Sequence, residues 1–544
     1  AAEFVPGHLA YLYAQRVPCM KILDNPPWDI PNLLRLPVPQ GKKSGITTFR
    51  RDTILDALGH TIKMVNSGDK ETMRVSTAHE IHMYWSYLNA RRSLKDRPMT
   101  FMDLMETLNK MVAKPEVRQD GDDISKVRLF FIVNIIKYMI DLNMKKATHR
   151  HRQNNGTNTI GHSWVGGGAE RFYESLGGDS DEPCEWGCAD VSQKDTNFYA
   201  RDLLIHMMHS YYYYKDPDRS LDEFMKWSAH QSAFKLVRWI SYDEVWAFVI
   251  GVLFSGDLET GMGNTDHLGT CWYQFVVHQV KKFGARHPFL LKAFKHPLLK
   301  FKVQGDDIAT RTPGDFVPFL GITAFRDWLD EKYHMTFKEM EVRTSFFSYL
   351  DASQRPKYRV LIPGIKFLKR RFIKYKWRGS TRVAPFREAP DYFVRVGRST
   401  QDQSDPRKCI ARCIGLLWDT MGTNPEAENL LIRAVQHCVT CLEVEVDTPA
   451  WTELVAQIRE IVATDEYVAG RAHRWSITSE VISESVSGSS GWFVNMAFVR
   501  DKFLLRNAAY DHQYESSPDR EPTRDHIGLL PELVHFDRPK SERD

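Results

Sequence analysis

The chain has 544 residues, of which 42% are hydrophobic and 26% charged, with 73 Lys and Arg against 69 Asp and Glu for a formal charge of +4. That length supports several subdomains around a sizeable core, and the composition excludes a wholly disordered chain. Eight cysteines at this length exclude a disulfide-built secreted module, and the near-neutral balance means that any case for nucleic acid must rest on where the charges sit.

Residues 1–48 are rich in Pro and Gly and read as an arm; Gly41-Lys42-Lys43-Ser44 lacks the order of a phosphate loop and reads as a solvated turn. Helical spacing runs from Arg50 to Met111, carried by Ile54, Leu55, Leu58, Ile62, Phe101, Leu104 and Leu108. The next stretch turns apolar, then basic through Lys145, Lys146, His149, Arg150, His151 and Arg152, then glycine-rich at Gly166-Gly167-Gly168. It reads as a loop, either phosphate-holding or simply solvated. Spacing predicts helices over 199–216 and 231–254, with Tyr211 to Tyr214 as packing residues, and strands within 301–310 and 358–378.

Helices follow over 407–419, 427–442 and 451–463. Cys409, Cys413, His437, Cys438 and Cys441 offer zinc-type donors, but Ile410, Ile414, Leu416 and Leu417 make the first pair part of a buried helix face, which is the reading adopted. From Tyr514 the chain is polar and proline-bearing, with Leu533, Val534 and Phe536 as an apolar cluster that either frays or docks in a cleft. The apolar stretches 129–140 and 247–254 are too short to span a bilayer, and no signal peptide is visible.

Three elements carry chemistry. In Lys302-Val303-Gln304-Gly305-Asp306-Asp307-Ile308-Ala309, glycine permits a tight hairpin bend and presents adjacent carboxylates at its tip. Upstream, Asp190 in Cys188-Ala189-Asp190-Val191 is expected to end a strand beside that hairpin, so that its carboxylate joins Asp306 in bridging two cations about 3.5–4 Å apart. Asp195 then lies beyond the strand end, within reach of a sugar. Between them, Ser255-Gly256-Asp257-Leu258-Glu259-Thr260 feeds a helix on which Thr260 and Asn264 share a face.

This ordered set resembles the viral RNA-directed RNA polymerases of the picornavirus-like supergroup, which includes small double-stranded RNA viruses such as picobirnaviruses and partitiviruses. Asp190 and Asp195 match motif A; Ser255, Gly256, Thr260 and Asn264 match motif B; Gly305, Asp306 and Asp307 match motif C. The resemblance covers about residues 114–372. It implies that Asp190, Asp306 and Asp307 hold two Mg2+ ions, for which Mn2+ can substitute, and that Asp195, Ser255 and Asn264 read the ribose 2′-OH. Lys126 and Arg128, with Arg118 as a weaker match, correspond to motif F over the triphosphate. Lys338, with Lys332 as rival, corresponds to the motif D lysine that protonates pyrophosphate. Lys366, Lys369 and Arg370 fall in or beside the Phe367-Leu368-Lys369-Arg370 run that resembles motif E, which holds the primer strand. Two departures stand out: Gln304 precedes the Gly-Asp-Asp, and the span from there to motif E is long.

The expected fold is α+β, a right hand of fingers, palm and thumb with the palm built on a small antiparallel sheet with flanking helices. The expected parts are an arm over 1–48, fingers over 49–182, a palm over 183–364 with an insertion around 210–245, a thumb over 365–513 and a tail over 514–544. Implied partners are template and product RNA, nucleoside triphosphates, and viral capsid or other viral proteins; the implied location is the host cytoplasm or the virion interior. The basic belt of Lys366, Lys369, Arg370, Arg371, Lys374, Lys376 and Arg378, interleaved with Phe367, Phe372, Tyr375 and Trp377, suits an RNA backbone. The alternatives are a reverse transcriptase and a non-catalytic viral RNA-binding protein.

Overall fold

The computed structural model describes residues 4–15, 23–36, 77–79, 81–82, 109–113, 129–153, 156–192, 197–216, 220–239, 246–254, 257–351, 359–397, 404–464, 482, 484–486 and 493–506. Lys126, Arg128, Asp195, Ser255 and Gly256 lie outside the described residues. So do Arg118, the Lys42-Lys43 turn, most of the helical pattern expected over 50–111, and the tail with Leu533, Val534 and Phe536.

Within the described residues the architecture is mixed α+β, with small sheets flanked by helices. The first sheet orders its strands β2-β1-β4-β5, from β1 (Asn109–Ala113), β2 (Leu129–Ile132), β4 (Phe234–Trp239) and β5 (Trp246–Ile250). It is antiparallel except where β1 meets β4. The central sheet, β6-β7-β3-β8, is antiparallel throughout and comprises β3 (Cys184–Val191), β6 (Lys300–Gln304), β7 (Asp307–Pro313) and β8 (Phe337–Arg343). A third sheet joins β11 (Lys366–Phe367), β12 (Arg370–Trp377) and β13 (Ser380–Phe386), and β9 (Tyr349–Leu350) pairs with β10 (Val360–Ile362).

The period of two along β3 and β7 separates two cores. Ala189, Val191 and Ile308 point to one face, where they pack with Phe301 and Val303 against the helices Thr260–Phe283 and Ile322–Tyr333. Trp272 stacks on Phe301 there at 4.7 Å, and each such fully buried side chain contributes about 1.5–3 kcal/mol. Trp186, Cys188 and Ala309 point to the other face, into a core shared with β11 to β13 and the helices Pro406–Thr420, Pro425–Cys441 and Pro449–Thr464. Those last three helices fall where the sequence places them, and Ile410, Ile414, Leu416 and Leu417 are all buried. None of the described cysteines forms a disulfide.

Two sequence expectations are corrected. Residues 231–254 are not one helix: the helix Ser220–Ala233 ends and β4 and β5 follow as an antiparallel pair. The run Phe234, Val237, Trp239, Trp246, Phe248, Val249, Ile250 is β-branched and aromatic, and cross-strand pairing overrides its helix-like spacing. The basic stretch 145–152 is not a loop either; it is the second half of the helix Ile135–Arg152, and Lys145 and Arg152 are buried. Lys145 pairs with Asp141 at 3.2 Å, while Arg152 bonds Glu259 at 3.2 Å and also Asp266, so those cations are neutralised inside the protein. Gly166, Gly167 and Gly168 are likewise buried, and the carbonyl of Gly166 accepts from Arg171.

Candidate active site

The register of the central sheet sets Asp190 beside the Gly305-Asp306 hairpin. Asp190 stands directly across from Asp307 on one side and from Glu339 on the other, so three carboxylates share one face at one end of the sheet. The hairpin β6–β7 closes through Gln304 and Asp307, leaving Gly305 and Asp306 as a two-residue turn. Only Gly305 is left-handed, at φ 67°, the pattern of a type II′ turn that requires glycine first. The Gly305 N–H donates to Thr265 Oγ1 at 2.8 Å, which pins the tip to the helix Thr260–Phe283, and the Val191 N–H donates to the Asp306 carbonyl at 3.0 Å.

Repulsion between these acids shows in their acidities. Burial first, then the charges of Asp306 and Asp190, push Asp307 up to about 7, against the opposing pull of Lys369 and a hydrogen bond from the Leu368 N–H. Burial and then Asp306 also raise Asp190, while Lys338 and Lys369 lower it. Asp306 itself is exposed at the tip. An array of carboxylate oxygens held together against repulsion is the donor type that hard divalent cations take.

The Phe367-Leu368-Lys369-Arg370 run, which the resemblance matched to motif E, is a turn that leans on these acids. Phe367 pairs with Arg370, so Leu368 and Lys369 form a two-residue turn in which both are left-handed, at φ 52° and 60°. Neither residue is glycine or asparagine, so the turn stores strain beside the acids. The nearest signal in the sequence was Lys369 itself, whose exposed charge offsets Asp190 and Asp307. Lys338 is exposed on β8 next to Glu339, on the strand that pairs with β3, whereas Lys332 is in the last turn of the helix Ile322–Tyr333. Lys366 pairs with Glu339 at 3.1 Å. Arg370 is buried, bonded to Asp419 and 5.8 Å from the Trp164 ring centre, so its cation faces the protein interior.

Thr260 and Asn264 open the helix Thr260–Phe283 as expected, but they differ in what they touch. The Thr260 hydroxyl lies 2.5 Å from the Phe254 carbonyl and 2.8 Å from that of Asp257, closing the turn before the helix. Asn264 is buried, and its Oδ1 has no hydrogen-bond partner among the described residues. A buried, unpaired amide oxygen costs about 1–3 kcal/mol unless something meets it.

A second cluster was not anticipated. His206, His209 and Asp266 are buried with donor atoms within 4.8 Å of one another, a set that could hold a metal ion. Here Asp266 accepts from Tyr11, Arg152 and, at 3.4 Å, His209 Nδ1, so the carboxylate is already satisfied by donors.

No protein-family model matches the chain, and no curated protein matches it. Among solved structures the chain is similar to a Sicinivirus 3Dpol RNA dependent RNA polymerase, with a TM-score of 0.49 and 14% sequence identity, covering 81% of this chain and 82% of that one.

Proposed function

We propose that this protein is a template-directed RNA polymerase of right-hand form, joining ribonucleoside triphosphates through Asp190, Asp306 and Asp307. The observation that carries the reading is the pairing of Asp190 with Asp307 beside the Gly305-Asp306 turn, which gathers acids far apart in sequence at one sheet end. The central antiparallel sheet would be the palm and the helical core behind β11 to β13 the thumb.

The raised acidities of Asp307 and Asp190 fit a site completed by two divalent cations, Mg2+ or Mn2+. When bound, such ions acidify the primer 3′-OH and neutralise the leaving pyrophosphate. Asp190 and Asp306 would hold both ions and Asp307 would flank them. Asn264, with Asp195 and Ser255, would meet the ribose 2′-OH; the unpaired Asn264 Oδ1 supports that role. Thr260 would act by fixing the loop that carries Ser255 and Gly256. Lys126 and Arg128 would lie along the triphosphate, and Lys338 would supply a proton to pyrophosphate. Lys366 and Lys369 would face the primer backbone, with Arg370 anchoring their hairpin through Asp419. Replication within the host cytoplasm or a virion, alongside capsid or other viral proteins, belongs to the same reading.

The test is extension of an RNA template by the purified chain with Mg2+ or Mn2+. Synthesis with ribonucleotides that disappears in Asp306→Ala and Asp190→Ala, both still folded, is expected. Near-normal turnover in either variant overturns the two-metal assignment. Incorporation of deoxynucleotides in preference indicates a reverse transcriptase, and RNA binding without incorporation indicates a non-catalytic protein.

A further inference from the structure

The chain on either side of residues 255 and 256 is gripped by two buried lysines. Lys235 on β4 is 2% exposed, and its Nζ donates to the carbonyl oxygens of Gly251, at 3.0 Å, and Val252. The same ammonium lies 4.4 Å from the centre of the Phe254 ring, which stacks on Phe131 of β2 at 3.9 Å. Among the described residues no carboxylate forms an ion pair with it. Burial pushes its pKa down to about 7, against the opposing charge of Asp257 and with the help of Lys137.

Both carbonyls converge on Lys235 because the backbone is left-handed twice in succession, at Gly251 (φ 74°) and Val252 (φ 58°). A Cβ at Gly251 would stand 2.3 Å from the Phe198 carbonyl, and a β-branched residue such as Val252 seldom adopts a positive φ. On the far side, Asp257 is buried against Lys137 at 2.8 Å and accepts from the Glu259 N–H at 3.1 Å. Lys137 is itself fixed by Asp141 at 2.6 Å. A methionine in place of Lys235 would fill similar volume without burying a charge, so what the ammonium adds is direction to two particular carbonyls.

We propose that Lys235 and the Lys137–Asp257 pair are positioning residues that fix the segment leading into and out of residues 255 and 256, and thereby set affinity for the incoming ribonucleotide. This rests on the polymerase reading. Hydrogen exchange by mass spectrometry and steady-state incorporation, each on the full chain, test it with Lys235→Met. Amides at 251–254 and 257–260 should exchange about ten-fold faster while those of Pro406–Thr420 do not change, and KM for ribonucleotides should rise about ten-fold with kcat little altered. Asp257→Asn, which keeps an acceptor for Glu259, should do the same from the other side and serves if Lys235→Met fails to fold. Unchanged exchange in the folded variants, or faster exchange with an unchanged KM, overturns the proposal. A wild-type chain that makes no RNA sinks the polymerase reading instead, and the exchange result then decides the clamp by itself.

Discussion

At the scale of single residues, the acids at the sheet end couple pH to stability and, on the polymerase reading, to metal affinity. Asp307 is raised from 3.8 to about 7, so the folded chain holds a proton there that the unfolded chain has released. Between those values the native state binds more protons, and this group's contribution to stability is therefore present at low pH and lost as pH rises through 7. In metal-free buffer Asp307→Asn should gain on the wild type across that window, by ~2–4 kcal/mol in total, as read by chemical denaturation at several pH values. A flat difference would mean that neither burial nor the neighbouring carboxylates raise Asp307. Mn2+ binding should strengthen over the same window, because the ion competes with the proton. Lys338 gives a second test: Lys338→Met should lower kcat about 100-fold, the range of a lost general acid, while Lys332→Met leaves it unchanged. The reverse ranking of the two lysines would reassign the proton donor.

Elements are joined here by buried ion pairs more than by loops. Asp419, in the helix Pro406–Thr420, accepts from Arg370 at the β11–β12 turn and from Tyr392 at 3.4 Å, and forms an ion pair with Arg387 at 3.1 Å. All three charged residues are buried. Asp419→Ala strands two guanidinium groups away from water and should cost about 3–5 kcal/mol, lowering the melting temperature by about 10 °C. It should also loosen the Leu368-Lys369 turn and its hydrogen bond to Asp307, so that activity falls below what the lost folded fraction explains. A stability loss within 0.5 kcal/mol, roughly that of an ordinary surface substitution, would show that the arginines find other partners. The helix pattern over 406–464 was legible because apolar periodicity there is strong and the contacts are local. The β4–β5 pair was not, since its strandedness depends on partners drawn from β1 and from across the hairpin.

For the whole molecule, the described helices include none long and apolar enough to cross a membrane. If the apolar cluster within residues 530–544 docks in a cleft, deleting it should raise primer-dependent elongation; equal elongation, initiation and RNA affinity in the truncated chain would mean that the segment only frays. The sequence by itself determined the hairpin acids, because Gly305-Asp306-Asp307 flanked by alternating apolar residues specifies a turn locally, and Gly305 supplies the one left-handed φ it needs. The place of Asp190 beside that hairpin was only a condition in the sequence; it lies one residue before the end of β3, and the sheet register sets it across from Asp307. Only the tertiary structure decided which cations remain available. Arg152 and Arg370 look, in sequence, like cations available to phosphate or RNA, yet both are buried, against Glu259 and Asp419 far away in the chain. Charge patterning reports that a cation exists; whether it meets solvent, an acid or a backbone carbonyl is set by long-range packing that no local window contains.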